Sequence, residues 1–320
     1  MTTILVTGGA GFIGSHLVRY LLTTYPKYKV INFDKLTYSG NLNNLKSIKG
    51  DPRYKFIKGD IANAKQVELA VKQADIIIHT AAETHVDRSI VDGGVFVTTN
   101  VNGTYTLLEA AVRHKIKRFV HVSTDEVYGS CRKGFFKETD DLNPSSPYSA
   151  SKAASDLLAR SYFITYGLNV VITRCSNNFG PNQYPEKVIP LFVTNLLDGK
   201  QVPLYGKGLN VRDWIYVEDH CRGIDCVLRH GKAGEVYNIA GENYRDNLTL
   251  TKTILKLMGK SLSMIKRVED RLGHDFRYAI DCRKIRQLGY RPRVGFDEGM
   301  ATTIQWYKEN KWWWKDLKRG

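Results

Sequence analysis

The chain has 320 residues, 42% of them hydrophobic and 25% charged, with 27 glycines and 9 prolines. This is the composition of a globular protein with a sizeable core, and it excludes a disordered, fibrous or low-complexity chain. Lys and Arg number 47 against 32 Asp and Glu, a formal charge of +15, which raises nucleic acid or another polyanion as a partner. The charge is spread along the chain, however, and its one dense cluster, residues 311–319, surrounds Trp312, Trp313 and Trp314. A terminal helix that docks its tryptophans and solvates its lysines explains that cluster better than base stacking does, so nucleic acid is not expected.

In chain order, the first residues run directly into an apolar strand, ILVTG (4–8), with no basic leader. No later apolar run approaches the roughly 18 residues of a spanning helix. A soluble, cytoplasmic protein without membrane association is expected. Short β-rich runs follow at 29–34 (KVINFD), 54–60 (YKFIKGD), 75–82 (DIIIHTAA), 118–124 (RFVHVST) and 169–174 (NVVITR), alternating with helical patterns such as 15–25 and 101–114. Alternating strands and amphipathic helices predict an α/β fold, a Rossmann-type doubly wound parallel sheet over residues 1–175. After about residue 175 a turn-rich stretch, NNFGPNQYP, opens a smaller mixed α/β C-terminal lobe (176–320). Helices are predicted there over 188–199, 217–231 and 248–259. The strand VYNIAG (236–241) makes part of this half, about 210–240, a candidate to return to the main sheet. The five cysteines are odd in number and form no CxxC pair, which predicts reduced thiols and no metal site.

TGGAGFIGSH (7–16) is the first functional signal. A strand enters a turn bearing Gly8, Gly11 and Gly14, and a helix follows; glycines let the backbone approach a pyrophosphate, and the helix start offers amides and a positive dipole end. Asp34 stands 20 residues after Gly14, where a carboxylate accepts from a ribose 2′-hydroxyl and repels a 2′-phosphate, so NAD is favoured over NADP despite the adjacent Lys35. Asp60 and Ile61, ending the third strand, are placed near the adenine. Ala81 and Ala82, ending the fourth, supply small residues where a flat cofactor passes.

Tyr148 and Lys152 lie four apart on a helix start and therefore share a face. An ammonium beside the phenol is expected to lower its pKa and make Tyr148 a base. Thr124, closing the preceding strand, completes the pattern of short-chain dehydrogenases. Asp125 and Glu126 follow at once, two carboxylates more than hydride transfer requires; they fit an acid/base pair for an elimination, or equally a turn cap and a solvated side chain.

The stretches TGGAGFIGSH, FDKLTYSGNLNNL, AAETHVDRSI, STDEVYGS, PYSASKAASD, RCSNNFGPNQYPEKVIP, PLYGKGLNVRDWIYVEDH and DRLGHDFRYAID resemble the dTDP-glucose 4,6-dehydratases, members of the extended short-chain dehydrogenase/reductase family, over nearly the whole chain. The resemblance implies tightly held NAD, a nucleotide-sugar substrate and a homodimer joined through a helix bundle. It implies that Tyr148 takes the C4 hydroxyl proton with Thr124 steadying that hydroxyl, Lys152 bonds the nicotinamide ribose, Glu126 removes the C5 proton and Asp125 protonates the departing C6 hydroxyl. It adds Phe12, Ile13, Thr37, Thr99 and Asn178 to the cofactor site. Thr84, Asn177, Lys187, Arg212, Asn247, Arg271 and His274 are placed around sugar and diphosphate, with Pro203 and Tyr205 near the base. Lys207 departs from the family's usual acidic residue, and the segment between Gly129 and Tyr148 is short, which leaves UDP-sugars open as substrates. A nucleotide-sugar 4-epimerase would need the same NAD, Tyr148, Lys152 and Thr124 but neither Asp125 nor Glu126; a non-catalytic NAD-binding regulator would leave all five idle.

Overall fold

The computed structural model describes residues 1–270 and 273–318. Among the described residues twelve strands form: β1 (Thr2–Thr7), β2 (Tyr28–Asp34), β3 (Tyr54–Lys58), β4 (Ile76–His79), β5 (Arg118–Thr124), β6 (Val170–Cys175), β7 (Asn177–Phe179), β8 (Val202–Tyr205), β9 (Val211–Tyr216), β10 (Val236–Ile239), β11 (Tyr244–Asp246) and β12 (Ile265–Val268). The helices are α1 (Phe12–Thr24), α2 (Ala64–Val71), α3 (Val86–Val91), α4 (Gly94–Phe96), α5 (Gly103–Arg113), α6 (Pro147–Tyr166), α7 (Val188–Leu197), α8 (Val217–His230), α9 (Asn247–Leu257), α10 (Arg283–Gln287), α11 (Phe296–Glu309) and α12 (Lys311–Leu317).

Seven strands pair in the order β10-β6-β5-β4-β1-β2-β3, and every pairing is parallel. The order reverses between β1 and β4, the switch point at which the carboxyl ends of an open sheet leave a crevice. The strands read as continuous apolar runs because helices cover both faces. Leu17, Val18 and Leu21 of α1 and Ile224 and Val227 of α8 fill one face. Val67, Leu107, Leu108 and Ala159 of α2, α5 and α6 fill the other. Burying each such side chain contributes roughly 1.5–3 kcal/mol.

The VYNIAG strand does join the main sheet, as edge strand β10 beside β6, whereas β9, inside the same stretch, belongs to a small separate sheet ordered β11-β9-β7. A third core under the C-terminal half gathers Phe179, Ile189, Trp214, Ile254, Phe296, Trp313 and Trp314. Of the three consecutive tail tryptophans, only Trp312 stays exposed; the indole of Trp313 donates to Asn44 and that of Trp314 to the Tyr307 carbonyl. Among the described residues no helix is long and apolar enough to cross a membrane, and the five cysteines are free thiols.

Candidate active site

One deep cleft runs along the carboxyl ends of β1–β6. Its cofactor end is shaped by backbone approach. Gly8 has φ +70°, and a Cβ on it would stand 2.7 Å from the Ala81 Cα; a Cβ on Gly14 would stand 2.2 Å from the Gly8 carbonyl oxygen. No side chain caps the start of α1, so its first-turn amides are left for an anion at the positive end of the helix. Gly8, Gly11, Phe12, Ile13 and Gly14 all line the cleft. The cradle fits a dinucleotide pyrophosphate. Gly14→Ala is expected to weaken NAD retention by about tenfold or more, because the methyl forces helix and turn apart; NAD released on denaturing the purified variant, compared with wild type, measures it.

Asp34 closes β2 with Oδ2 accepting from the Ala10 amide at 2.9 Å and Oδ1 from the Leu36 amide at 2.8 Å. Lys35 turns away to Asp60, Nζ to Oδ2 2.7 Å. The lysine that complicated the choice between NAD and NADP is thus tied to the end of the third strand. Thr37, Ile61, Ala81, Ala82 and Thr99 complete this end; Thr99 sits on a π turn, Val97–Asn102, leading into α5, the type of helix irregularity that recurs at functional sites.

The chemical end is set by β5 and α6. Ser146 and Ser149 form a reciprocal capping box and Pro147 opens the helix, which fixes the first turn and with it Tyr148. Lys152 is buried and its Nζ donates to the Val122 carbonyl at 2.8 Å. The expectation that Lys152 lowers the Tyr148 pKa is not met. Burial, first, and the charge of Glu126, second, push that phenol well above its ordinary value, with the Thr124 hydroxyl pulling it down. Desolvation outweighs a cation that is itself engaged by a carbonyl.

Asp125 and Glu126 begin a 3-10 turn, Asp125–Tyr128, capped by the Thr124 hydroxyl. Thr124 does the capping, so neither carboxylate is the turn cap, and both line the cleft with Tyr148 and Lys152. Asp125 is buried, with Oδ2 lacking any hydrogen-bond partner. Burial, then the carboxylates of Glu126 and Asp213, hold its carboxyl well above the usual range, against the opposing charge of Arg212. A carboxyl raised in this way is suited to giving up a proton rather than to accepting one.

Of the residues assigned to substrate, Thr84, Thr124, Asn177 and Lys187 line the cleft. Lys187 donates to the Thr84 carbonyl at 2.8 Å, and Asn177 Oδ1 is buried without a hydrogen-bond partner. Asn178 also lines the cleft, its amide nitrogen on the Ser176 carbonyl and its oxygen on His220. Pro203, Tyr205, Arg212, Asn247 and His274 lie outside the cleft lining. Arg212 is buried, its fork on the carbonyls of Val211 and Asp275 and its plane 4.1 Å from the Tyr278 ring; it is no surface ion pair with Asp213, whose carboxylate accepts from the Gly241 and Asn243 amides. His274 pairs with Asp270 and meets the Tyr205 ring edge-on. Arg271 lies outside the described residues. Sequence reasoning missed Glu83, Cys175, Gln183, Tyr184 and Glu186, which also face the cleft. Glu186 accepts from the Tyr38 hydroxyl and pairs with Arg88 and His85, linking loops that no periodicity connects.

A doubly wound sheet with a glycine-cradled cleft and a Tyr148/Lys152 pair facing it defines an extended short-chain dehydrogenase/reductase. More narrowly, the chain belongs to the GDP-mannose 4,6 dehydratase family, whose model matches residues 5–303. It is 55% identical over 322 residues to a dTDP-glucose 4,6-dehydratase of Streptomyces antibioticus, covering 99% of this chain and 95% of the relative. It is similar to the crystal structure of a Streptomyces venezuelae dTDP-glucose 4,6-dehydratase with NAD bound, at TM-score 0.97 and 55% identity, covering 99% of this chain and all of that one. A dTDP-glucose 4,6-dehydratase from Bacillus anthracis in complex with NAD matches at TM-score 0.93 and 51% identity, over 99% of this chain and 100% of that one.

Proposed function

We propose that this protein is an NAD-dependent hydro-lyase that converts dTDP-glucose to dTDP-4-keto-6-deoxyglucose and water. The observation that carries this reading is the buried Asp125, its carboxyl raised by burial and by the Glu126 charge, beside Glu126 in the same cleft as Tyr148 and Lys152. Oxidation alone has no use for a second acid/base pair.

Bound NAD supplies the acceptor for hydride from C4 and its donor to C6, with no net redox change. Tyr148 in its phenolate form, which the positive nicotinamide of bound NAD would favour against burial and the Glu126 charge, takes the proton of the C4 hydroxyl that Thr124 orients, and Lys152 would hold the nicotinamide ribose. The resulting 4-ketone acidifies the C5 hydrogen. Glu126 removes that proton as the C6–oxygen bond breaks, Asp125 gives its proton to the departing hydroxyl, and water leaves. A proton then returns to C5 as C6 is reduced. Asn177, Lys187 and Thr84 bind the sugar and diphosphate within the cleft. Arg212, Asn247 and His274, with Pro203 and Tyr205, form the outer nucleotide-binding group of the C-terminal lobe (176–320), as distinct from the NAD-binding domain (1–175), and Arg271 is assigned to the sugar and diphosphate by the resemblance.

Incubating the purified protein with dTDP-glucose, UDP-glucose and UDP-N-acetylglucosamine and weighing the products tests reaction and specificity together. Loss of one water from dTDP-glucose is expected. Unchanged mass with inversion at C4 would instead identify an epimerase. Thymine and uracil differ by one methyl, so the preference for dTDP is expected to be about 10–200-fold.

The protein works in the cytoplasm as a homodimer. Tyr105 on α5 and Leu157, Ile164 and Tyr166 on α6 are exposed apolar side chains on neighbouring helices, a face suited to a four-helix bundle with a second copy. Leu157→Asp combined with Ile164→Asp is expected to halve the mass seen by light scattering while leaving the melting temperature within a few degrees.

A further inference from the structure

We propose that Arg174 is a positioning residue that locks the acid/base turn Asp125–Tyr128 to the helix carrying Tyr148 and Lys152, so that oxidation and elimination act on one sugar in one geometry. The inference rests on the reading above that the site oxidises and then eliminates.

Arg174 lies on β6 in register with Ser123 of β5 on one side and Asn238 of β10 on the other. Its Nε donates to Asp156 Oδ2 at 2.8 Å. Asp156 is four residues past Lys152 and eight past Tyr148, so the three share one face of α6. The other face of the link is aromatic: the guanidinium carbon stands 4.7 Å from the centroid of the Tyr128 ring, and Tyr128 ends the turn that begins with Asp125 and Glu126. Tyr128 is itself fixed, its hydroxyl donating to Asn238 at 2.9 Å and its ring stacked on Phe136 at 5.2 Å.

Stability alone does not explain this arrangement. Arg174 and Asp156 are both buried, where an ion pair loses in desolvation much of what it gains in attraction and an apolar pair of similar volume often serves as well. Arg174 Nη1 is also buried with no hydrogen-bond partner, a further cost. Burial opposes ionisation of Asp156, but the hydrogen bond from His121 and the Arg174 charge hold it ionised, at about 2. An apolar side chain reaching the same two elements would fill the space without fixing angle or distance. The planar guanidinium does both, through a directed bond to α6 and a face-on contact to the turn.

Single-turnover rapid quench of the NAD-loaded enzyme on dTDP-glucose, with masses of the quenched species, separates oxidation at C4 from water loss. Tyr128→Leu removes the ring contact and leaves the Arg174–Asp156 pair. We expect C4 oxidation within about twofold of wild type, water loss slowed about tenfold and accumulation of the 4-keto hexose that keeps its C6 hydroxyl, since sub-ångström misplacement of an acid/base group costs rates of this order. Tyr128→Phe keeps the ring face and is expected to restore the wild-type ratio of the two steps. Arg174→Lys retains charge without the plane and is expected to shift the ratio in the same direction as Tyr128→Leu. Equal slowing of both steps in Tyr128→Leu and Arg174→Lys, or an unchanged ratio, overturns the proposal. Failure of wild type itself to lose water would overturn the underlying reading instead. Bound NAD and melting temperature confirm that each variant is folded, and if Tyr128→Leu does not fold, Arg174→Lys decides.

Discussion

Glu126→Gln is expected to retain NAD and dTDP-glucose while lowering the rate of water loss by on the order of 10²–10⁴, the usual contribution of a positioned base. The carboxamide is nearly isosteric but has no basic oxygen for the C5 proton. Oxidation at C4 does not require that base, so the 4-keto hexose with its C6 hydroxyl intact accumulates, and in heavy water deuterium fails to enter C5. A second consequence follows from charge. Glu126 contributes to raising both Tyr148 and Asp125, so neutralising it lowers both, and the pH profile for C4 oxidation moves to lower pH. Dehydration at near wild-type rate would remove Glu126 from the mechanism. The mass spectrum of the quenched reaction and deuterium incorporation measure these effects.

Asp125→Asn is expected to lower water loss by a similar factor, on the order of 10²–10⁴, because an amide has no proton to give the departing hydroxyl. It is also expected to stabilise the protein at neutral pH. In the unfolded chain an aspartate ionises at about 3.9; in the fold, burial and then the Glu126 and Asp213 carboxylates raise it well above that. The folded state therefore binds more protons than the unfolded state between those two values. The stabilising contribution is complete below about pH 3.9 and is lost as pH rises through the raised folded value. Asparagine has no such loss. Melting temperatures of variant and wild type are expected to converge near pH 4 and to separate toward pH 7, with the variant higher by a few degrees. A variant that melts lower at neutral pH, or turns over within tenfold of wild type, would contradict the assignment of Asp125 as the buried acid.

Those two carboxylates also mark where reading the sequence stops. Adjacent in the chain, they fitted an acid/base pair and a cap-plus-solvated pair equally well, since neither burial nor the identity of the capping group is a local property. The fold gave the cap to Thr124 and sealed Asp125 from water, which removes the reading of a capping carboxylate. The reverse happened at Tyr148. Four-residue spacing put it on the helix face of Lys152, and both line the cleft, yet the inferred fall in its pKa missed that β5 supplies a carbonyl to the ammonium and that burial dominates. Glu83, Gln183, Tyr184 and Glu186 escaped notice because they reach the cleft from loops without periodicity.

The sequence by itself determined whatever depends on near neighbours: the glycine turn and helix start that cradle a pyrophosphate, Asp34 ending the second strand, the shared face of Tyr148 and Lys152, and the alternation that makes a doubly wound sheet. Only the tertiary structure decided what depends on distant ones. It tied Lys35 to Asp60, placed β10 at the sheet edge while sending β9 elsewhere, raised the Asp125 carboxyl by burial and the Glu126 charge, and bridged α6 to the Asp125–Tyr128 turn through Arg174. The division has a physical cause. Periodicity and backbone geometry act over a few residues, whereas desolvation and charge coupling act through space between segments that meet only when the sheet has formed.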